Sequence, residues 1–273
     1  WLPVNDFSYE DQVLDTAALF NLIPQRFQQL QLSPLDTYFA MARGTQTATG
    51  FLPPLKMATW FNTRYGYFIP ELDDSTTIQL TGTKPFDEFK EAKQLGYHAR
   101  PTIIGPYTLL KFSRITGTQK ISDYIEGFVA AYAQLFKQFD QLGADWLQLD
   151  ESALVLAPTK ADLALFRHIY TALLPQKGQL KILLQTAYGD VREAYTQLIS
   201  QDFDALGLDF IDGQQTEACI QEQGFPDNKI LFAGIVNGRN VWRTNYQTVL
   251  NQLHRLPVKH VVLSTSCSLL HLP

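Results

Sequence analysis

The chain has 273 residues, a length that suits one barrel-sized domain or two smaller ones. Its 22 Lys and Arg against 27 Asp and Glu give a net charge of −5, which argues against nucleic acid as the main partner because phosphate binding needs a basic surface. Two cysteines, Cys219 and Cys267, are too few for a disulfide framework and favour a reducing, cytoplasmic location.

The ends of the chain and its apolar runs bear on its organisation. The chain starts at Trp1 rather than Met and stops at Pro273 directly after a strand-like run, so we expect it to be part of a longer polypeptide. No apolar run approaches the roughly 20 residues that a membrane helix needs. We predict one domain over 1–273.

The first third of the chain contains a predicted strand at Leu2–Val4 and then a long irregular stretch over 44–60. An aromatic, extended segment at 65–69 indicates an inserted hairpin, so loop and hairpin together occupy about 44–72. A loop of this length in a compact domain is usually functional or mobile.

From residue 101 onward, short apolar runs alternate with helical patterns. The predicted strands are 101–104, 146–149, 181–184, 205–210, 230–235 and 260–263, and the predicted helices are 122–142, a stripe from 163 to 173, 191–199, 217–223 and 245–256. Ser122 is the expected N-cap of the first of these helices, and Gly143 its C-terminal stop. Nearly continuous apolar strands are typical of a parallel sheet that is buried on both faces.

Seven strands separated by helices predict an α/β fold of the TIM-type (β/α)8 barrel class, one strand short. The absent strand would be the first, upstream of Trp1. An open doubly wound sheet is the structural alternative, but no GxGxxG turn follows any strand, so a dinucleotide site is weakly supported.

In a barrel, chemistry belongs at the carboxyl ends of the strands, and polar residues follow these strands. Asp150 and Glu151 are adjacent in an extended run, so their side chains should point to opposite faces. Either of them could form a catalytic carboxylate pair with Asp209, as in a glycosidase. Alternatively, one carboxylate pairs with an arginine or caps a helix.

Other candidate residues suggest weaker sites. The histidines show no HxH, HxC or HExxH spacing, and a lone Cys267 at a strand end is more often a buried residue than a nucleophile. Asn237 also ends a strand. Arg239 and Arg243 flank Trp242 and could hold a carboxylate or phosphate, or could form ion pairs at a helix start.

Several strand-end phrases together carry a family resemblance. They are LPVNDF at 2–7, LDTYFAMARG at 35–44, IIGPYT at 103–108, LQLDESAL at 147–154, GIVNGRNVWR at 234–243 and STSCSLLH at 264–271. In this order they resemble the N-terminal domain of the cobalamin-independent methionine synthases along essentially the whole chain. That family transfers a methyl group from methyltetrahydrofolate polyglutamate to homocysteine, using two similar barrels and a zinc-bound thiolate.

The resemblance implies a non-catalytic role for this chain. In the family the C-terminal barrel carries the zinc ligands, and the corresponding positions here are Gln185, Ala187, Asp209 and Cys267. An amide and a methyl group do not replace imidazole and thiolate ligands, so we expect neither a metal nor another cofactor in this chain, with zinc confined to the full-length enzyme. The catalytic C-terminal barrel of the same polypeptide is the expected partner.

Two departures from the family pattern affect folate binding. The basic segment that precedes this region in the family is absent from the chain, and Thr59 stands where the family has a lysine that contacts the folate glutamates. Threonine cannot pair with a carboxylate as an ammonium does, so Lys56 or Arg64 would have to substitute. The remaining alternatives are a stand-alone binding or scaffold protein and a carboxylate-dependent barrel enzyme that uses Asp150, Glu151 and Asp209.

Overall fold

The centre of the molecule is a parallel sheet whose seven strands lie side by side in chain order. The computed structural model describes residues 1–272, apart from the side chain of His271. The strands are β1 (Leu2–Val4), β2 (Ala99–Ile104), β3 (Trp146–Asp150), β4 (Lys181–Gln185), β5 (Ala205–Asp209), β6 (Ile230–Val236) and β7 (Val261–Thr265). All seven predicted strands are therefore present, with bounds that differ by at most two residues at either end.

The sheet curls strongly around its own interior. The ring of Trp1, directly before β1, lies 5.6 Å from that of Trp146 on β3 and 6.4 Å from that of Phe232 on β6, so side chains from distant strands meet inside the curl. Within the described residues, the outer sides of β1 and β7 pair with no further strand. The predicted barrel-type α/β fold is thus confirmed as a curled half-barrel, open between β1 and β7.

Ten helices connect the strands and cover the outside of the sheet in the described part of the chain. They are α1 (Gln12–Leu19), α2 (Gln25–Gln28), α3 (Pro34–Arg43), α4 (Lys84–Gln94), α5 (Pro106–Phe112), α6 (Ile121–Gln141), α7 (Lys160–Leu173), α8 (Tyr195–Ser200), α9 (Thr216–Gln223) and α10 (Tyr246–Arg255). Short 3₁₀ turns occur at Ser152–Val155, Leu174–Gln176 and Leu269–His271.

The longest helix, α6, shows how local sequence sets an element. Its buried face includes Phe128, Leu135 and Phe139, which recur at near-helical spacing and pack against the sheet. The predicted N-cap was wrong, because α6 begins at Ile121 and Ser122 lies in its first turn. The N-cap is Lys120, whose backbone N–H donates to the Asp123 carboxylate at 2.8 Å. Gly143 follows the helix with a φ of +69°, as expected of a C-terminal stop.

The segment predicted to be irregular is largely paired, so that prediction was wrong. Thr45–Thr47 pairs with Gly50–Leu52 in one antiparallel hairpin. Met57–Thr59 pairs with Gly66–Phe68 in a second, which confirms the predicted hairpin and which we call the aromatic hairpin. In addition, no helix in the described residues is both long enough and apolar enough to cross a bilayer.

Candidate binding site at the carboxyl ends of the strands

A cavity of about 260 Å³ opens at the carboxyl ends of the strands, inside the curl of the sheet. Its lining residues are Pro3, Asp6, Gln12, Trp60, Arg100, Thr102, Gln148, Asp150, Ser152, Gln185, Ala187, Tyr188, Ser264, Thr265, Cys267, Ser268 and Leu269. They come from most strands of the sheet and from the aromatic hairpin. The cavity therefore occupies the place where ligands bind in barrel folds.

The neighbouring carboxylates Asp150 and Glu151 lie on opposite sides of β3. Asp150 lines the cavity, and its Oδ1 accepts a hydrogen bond from Gln148 Nε2 at 2.7 Å. Burial raises the pKa of Asp150 to about 6, while the Gln148 hydrogen bond and the charge of Arg100 act in the opposite direction. Asp150 thus presents a carboxylate to a ligand in the cavity, as does Asp6 from the loop after β1.

Glu151 is fully buried beneath helix α5 and faces away from the cavity. Its two oxygens accept from the backbone N–H groups of Tyr107 and Thr108, at 3.0 and 2.7 Å, and the Tyr170 hydroxyl donates to it at 2.5 Å. Burial raises the pKa of Glu151 to about 7, against these hydrogen bonds. Glu151 therefore caps the first turn of α5, which was one of the two roles considered for it from the sequence.

Asp209, at the end of β5, is also occupied by its own loops. Its carboxylate accepts backbone hydrogen bonds from Tyr188 at 2.9 Å, Ile211 at 2.7 Å and Asp212 at 3.0 Å. Burial raises its pKa to about 6. Of the three candidate carboxylates only Asp150 lines the cavity, so the structure does not assemble the carboxylate pair of a glycosidase.

Three of the four positions compared with zinc ligands, Gln185, Ala187 and Cys267, line the same cavity, whereas Asp209 does not. Their chemistry does not fit the metal. Gln185 donates its amide to the Thr186 carbonyl at 2.7 Å, Ala187 has no ligating atom, and burial raises the pKa of the Cys267 thiol to about 11. No group of three or more His, Cys, Asp and Glu residues in the described chain is arranged to hold a metal ion.

Arg239 holds loops together and lines no part of the cavity. Its Nη1 pairs with Asp212 Oδ2 at 2.7 Å, and its Nη2 donates to the Asn62 carbonyl in the aromatic hairpin at 2.8 Å. Its backbone N–H donates to Asn237 Oδ1 at 2.8 Å, which shapes the turn after β6. Arg243 stands apart, with its guanidinium 5.6 Å from the Tyr246 ring centroid, so the two arginines do not form one anion site.

The aromatic hairpin covers one side of the cavity mouth through stacked rings. Trp60 lies 5.5 Å from Phe112 between ring centroids, and Phe61 stacks on Tyr188 at 4.9 Å with an interplanar angle of 16°. Tyr188 has a φ of +71°, a strained conformation for a bulky residue and one that concentrates at functional sites. The hairpin is therefore fixed in place over the site.

The residues considered for the folate tail lie on the exposed side of the same hairpin. Thr59 ends one of its strands, Lys56 precedes that strand, and Arg64 lies in the connecting turn, all three with exposed side chains. Within the described residues, neither Lys56 nor Arg64 has an ion-pair partner. None of the three lines the cavity.

Sequence reasoning missed the polar residues that project into the cavity from within the strands, namely Arg100, Thr102 and Gln148. The signal was present, because Arg100 and Thr102 alternate along β2, and Gln148 and Asp150 alternate along β3. Polar residues at every second position of an otherwise apolar strand mark one face that is not filled by apolar packing.

The comparison with protein families gives a match over nearly the whole chain. Residues 1–260 match the family model described as "Cobalamin-independent synthase, N-terminal domain". A protein of Streptococcus suis named 5-methyltetrahydropteroyltriglutamate–homocysteine methyltransferase is 48% identical over 272 residues, and one of the same name from Lactococcus lactis is 47% identical over 270. These alignments cover 100% and 98% of this chain but 36% of the length of each relative.

Solved structures show the same fold at low sequence identity. A putative vitamin-B12-independent methionine synthase from Listeria monocytogenes superposes with a TM-score of 0.60 at 15% identity, covering 73% of this chain and 67% of that one. A B12-independent methionine synthase from Shewanella sp. W3-18-1 gives a TM-score of 0.58 at 14% identity, covering 78% and 67%. Both support the assignment of a barrel-type fold.

Proposed function

Because the chain belongs to the family of N-terminal domains of cobalamin-independent methionine synthases, we propose that it is the non-catalytic barrel of such an enzyme. In the whole enzyme the reaction would be methyl transfer from 5-methyltetrahydrofolate polyglutamate to homocysteine, in the cytoplasm. The observation that carries the proposal is the match of residues 1–260 to this domain, together with the finding that the chain covers 36% of the length of its relatives.

The strand ends support a role without metal chemistry. Gln185 and Ala187 stand where the family resemblance calls for ligands, and Asp209 is engaged by three backbone N–H groups. A zinc ion, when bound, would activate the homocysteine thiol as a thiolate, and this donor set does not hold one. We propose that the catalytic C-terminal barrel of the same polypeptide supplies the zinc and the reacting groups.

The aromatic hairpin is the proposed contact of this chain with the folate glutamate tail. Lys56 and Arg64 are exposed cations on it, and both are near Thr59, the position that in the family carries a lysine. Exposed ammonium and guanidinium groups attract a polyglutamate, although each such contact contributes only about 1 kcal/mol or less. The tail would thus lie outside the cavity.

The proposal is tested by assaying the purified chain with homocysteine, 5-methyltetrahydrofolate triglutamate and zinc. We expect no methionine above background and far less than one tightly bound zinc per chain by metal analysis. The full-length Lactococcus lactis relative, assayed in parallel, is the positive control. Sustained methionine formation by the chain alone would overturn the non-catalytic role, and a stoichiometric zinc would overturn the interpretation of Gln185 and Ala187.

A further inference from the structure

The interior of the curled sheet changes from apolar to polar along its axis. At the amino-terminal level Trp146, Leu183, Ala205 and Phe232 form a small apolar cluster. From the level of Trp146 towards the carboxyl ends, the polar inward positions are Arg100 and Thr102 on β2, and Gln148 and Asp150 on β3. Barrel interiors are normally filled by branched apolar side chains, so a polar layer that borders a cavity is a departure that calls for an explanation.

Polar atoms in this layer have no hydrogen-bond partner among the described residues. They are Thr102 Oγ1, Gln148 Oε1 and Arg100 Nε, all inaccessible to solvent. Thr102 and Gln148 are 8% and 9% exposed as whole residues, so both are more than nine-tenths buried. Leaving such a group unsatisfied costs about 1–3 kcal/mol, so three of them beside one cavity make this layer costly for the fold.

The two charged groups of the layer face the cavity without pairing. No ion pair joins Arg100 and Asp150, and the Arg100 guanidinium lies 5.3 Å from the Phe232 ring centroid. Asp150 accepts one hydrogen bond, from Gln148, so its second oxygen has no protein donor within the described residues. The cavity is lined by one guanidinium, of Arg100, and by two carboxylates, of Asp150 and Asp6, so it is complementary to a ligand that carries both an anionic and a cationic group.

We propose that this cavity binds a small neutral α-amino acid as its zwitterion. The ligand carboxylate binds the guanidinium of Arg100 and its ammonium binds the carboxylate of Asp150, with Thr102 and Gln148 beside them in the cavity lining. The volume of about 260 Å³ lies just below the usual range for drug-sized ligands, which suits a molecule of this size. The outer walls include Trp60, Tyr188, Cys267 and Leu269, which provide an apolar environment for a flexible side chain.

This site is separate from the folate contact on the aromatic hairpin and does not rest on the proposed methyl-transfer role. The Arg239 bridge from Asp212 to the hairpin keeps Trp60 and Tyr188 in place, so the cavity is preorganised. A chain that fails to support methyl transfer would still bind the amino acid.

The test is isothermal titration calorimetry at pH 7.5 with L-methionine as the probe. Two analogues isolate the charges: 3-(methylthio)propylamine lacks the carboxylate, and 4-(methylthio)butanoate lacks the amine. We expect saturable binding of one L-methionine per chain and at least roughly tenfold weaker binding of each analogue, the equivalent of one lost charge contact. Because this comparison uses the unaltered chain, it does not depend on the folding of any variant.

Substitutions then locate the site. Asp150→Asn should weaken L-methionine binding by about tenfold or more, whereas Asp227→Asn, the same change at an exposed ion pair with Lys259, should leave it unchanged. Circular dichroism melts establish that both variants are folded. Absence of saturable binding to the unaltered chain, equal binding of the analogues, or equal effects of the two substitutions would each overturn the proposal.

Discussion

Two adjacent carboxylates show how much function depends on the direction of a single side chain. Asp150 and Glu151 have the same chemistry and neighbouring positions, yet Asp150 lines the cavity whereas Glu151 is buried under α5. The strand alternates its side chains between the two faces of the sheet, so one residue is available to a ligand and the other stabilises a helix. Both have a pKa raised by burial, and this shift alone does not separate the two roles.

We predict that Glu151→Gln destabilises the fold. Glutamine keeps one acceptor oxygen, but its NH₂ group would face a backbone N–H of Tyr107 or Thr108, so a buried donor would lose its partner. We expect the free energy of unfolding to fall by about 2–3 kcal/mol in urea denaturation. The control is Glu126→Gln, on an exposed carboxylate 3.6 Å from His168, which should change it by less than about 0.5 kcal/mol. Equal effects would contradict the capping role.

The aromatic hairpin is held in its position by a small number of contacts. Its strands pair over Met57–Thr59 and Gly66–Phe68, and it packs on the barrel through Trp60 and Phe61. The guanidinium of Arg239 adds the polar connection. A short two-stranded ribbon is marginally stable by itself, so these contacts determine its position over the cavity.

We predict that Arg239→Gln loosens this hairpin without unfolding the chain. The substitution removes the ion pair to Asp212 and the hydrogen bond to the Asn62 carbonyl. Backbone amides of residues 57–68 should exchange hydrogen about tenfold faster by mass spectrometry, which corresponds to a loss of about 1.4 kcal/mol. Arg243→Gln, which removes a cation near the Tyr246 ring, is the matched control and should not alter exchange there. Unchanged exchange in Arg239→Gln would show that the aromatic contacts suffice.

For the molecule as a whole, the open side of the sheet is the main departure from a closed barrel. β7 is poorly covered, since Leu263 is 60% exposed and α10 has no buried residue. The opposite edge is similar, with Leu2 of β1 also exposed. The well-packed core therefore lies between β2 and β6, where α5, α6 and α7 cover the outer face.

The raised pKa values of four carboxyl groups make the stability of the fold depend on pH. Burial raises the pKa of Asp11, Asp150 and Asp209 to about 6 and that of Glu151 to about 7, above their values in an unfolded chain. Between about pH 4.5 and 7 the folded state therefore binds more protons than the unfolded state, so stability is lost as pH rises. We expect the free energy of unfolding to fall by roughly 2 kcal/mol or more from pH 5 to pH 7.

Urea denaturation at several pH values measures this dependence. Four other carboxyl groups have a lowered pKa, and they affect the free energy of unfolding mainly in more acidic solution. They are Asp73, Asp87, Asp162 and Glu217. In Glu151→Gln the slope between pH 5 and 7 should become shallower, since one of the four groups no longer titrates. A free energy of unfolding that rises over this interval would contradict the prediction.

The fold could be predicted from the sequence to the level of its strands, because strands buried on both faces are continuous apolar runs. Helices α1, α3 and α4 were missed, although the side chains of Asp11 and Ser33 cap two of them. Helix α5 was also missed. It is capped by Glu151, which lies 44 residues away from Tyr107 in the chain.

The sequence by itself determined the α/β class, the order of the strands and the family, because these depend on local periodicity and on motifs that are contiguous in the chain. It also placed Asp150, Gln185 and Cys267 at strand ends. Only the tertiary structure decided which of the candidates share a cavity, since the curl of the sheet brings together residues as distant as Arg100 and Cys267. It also identified the unpartnered atoms of Thr102 and Gln148, because hydrogen-bond satisfaction depends on neighbours that only folding provides.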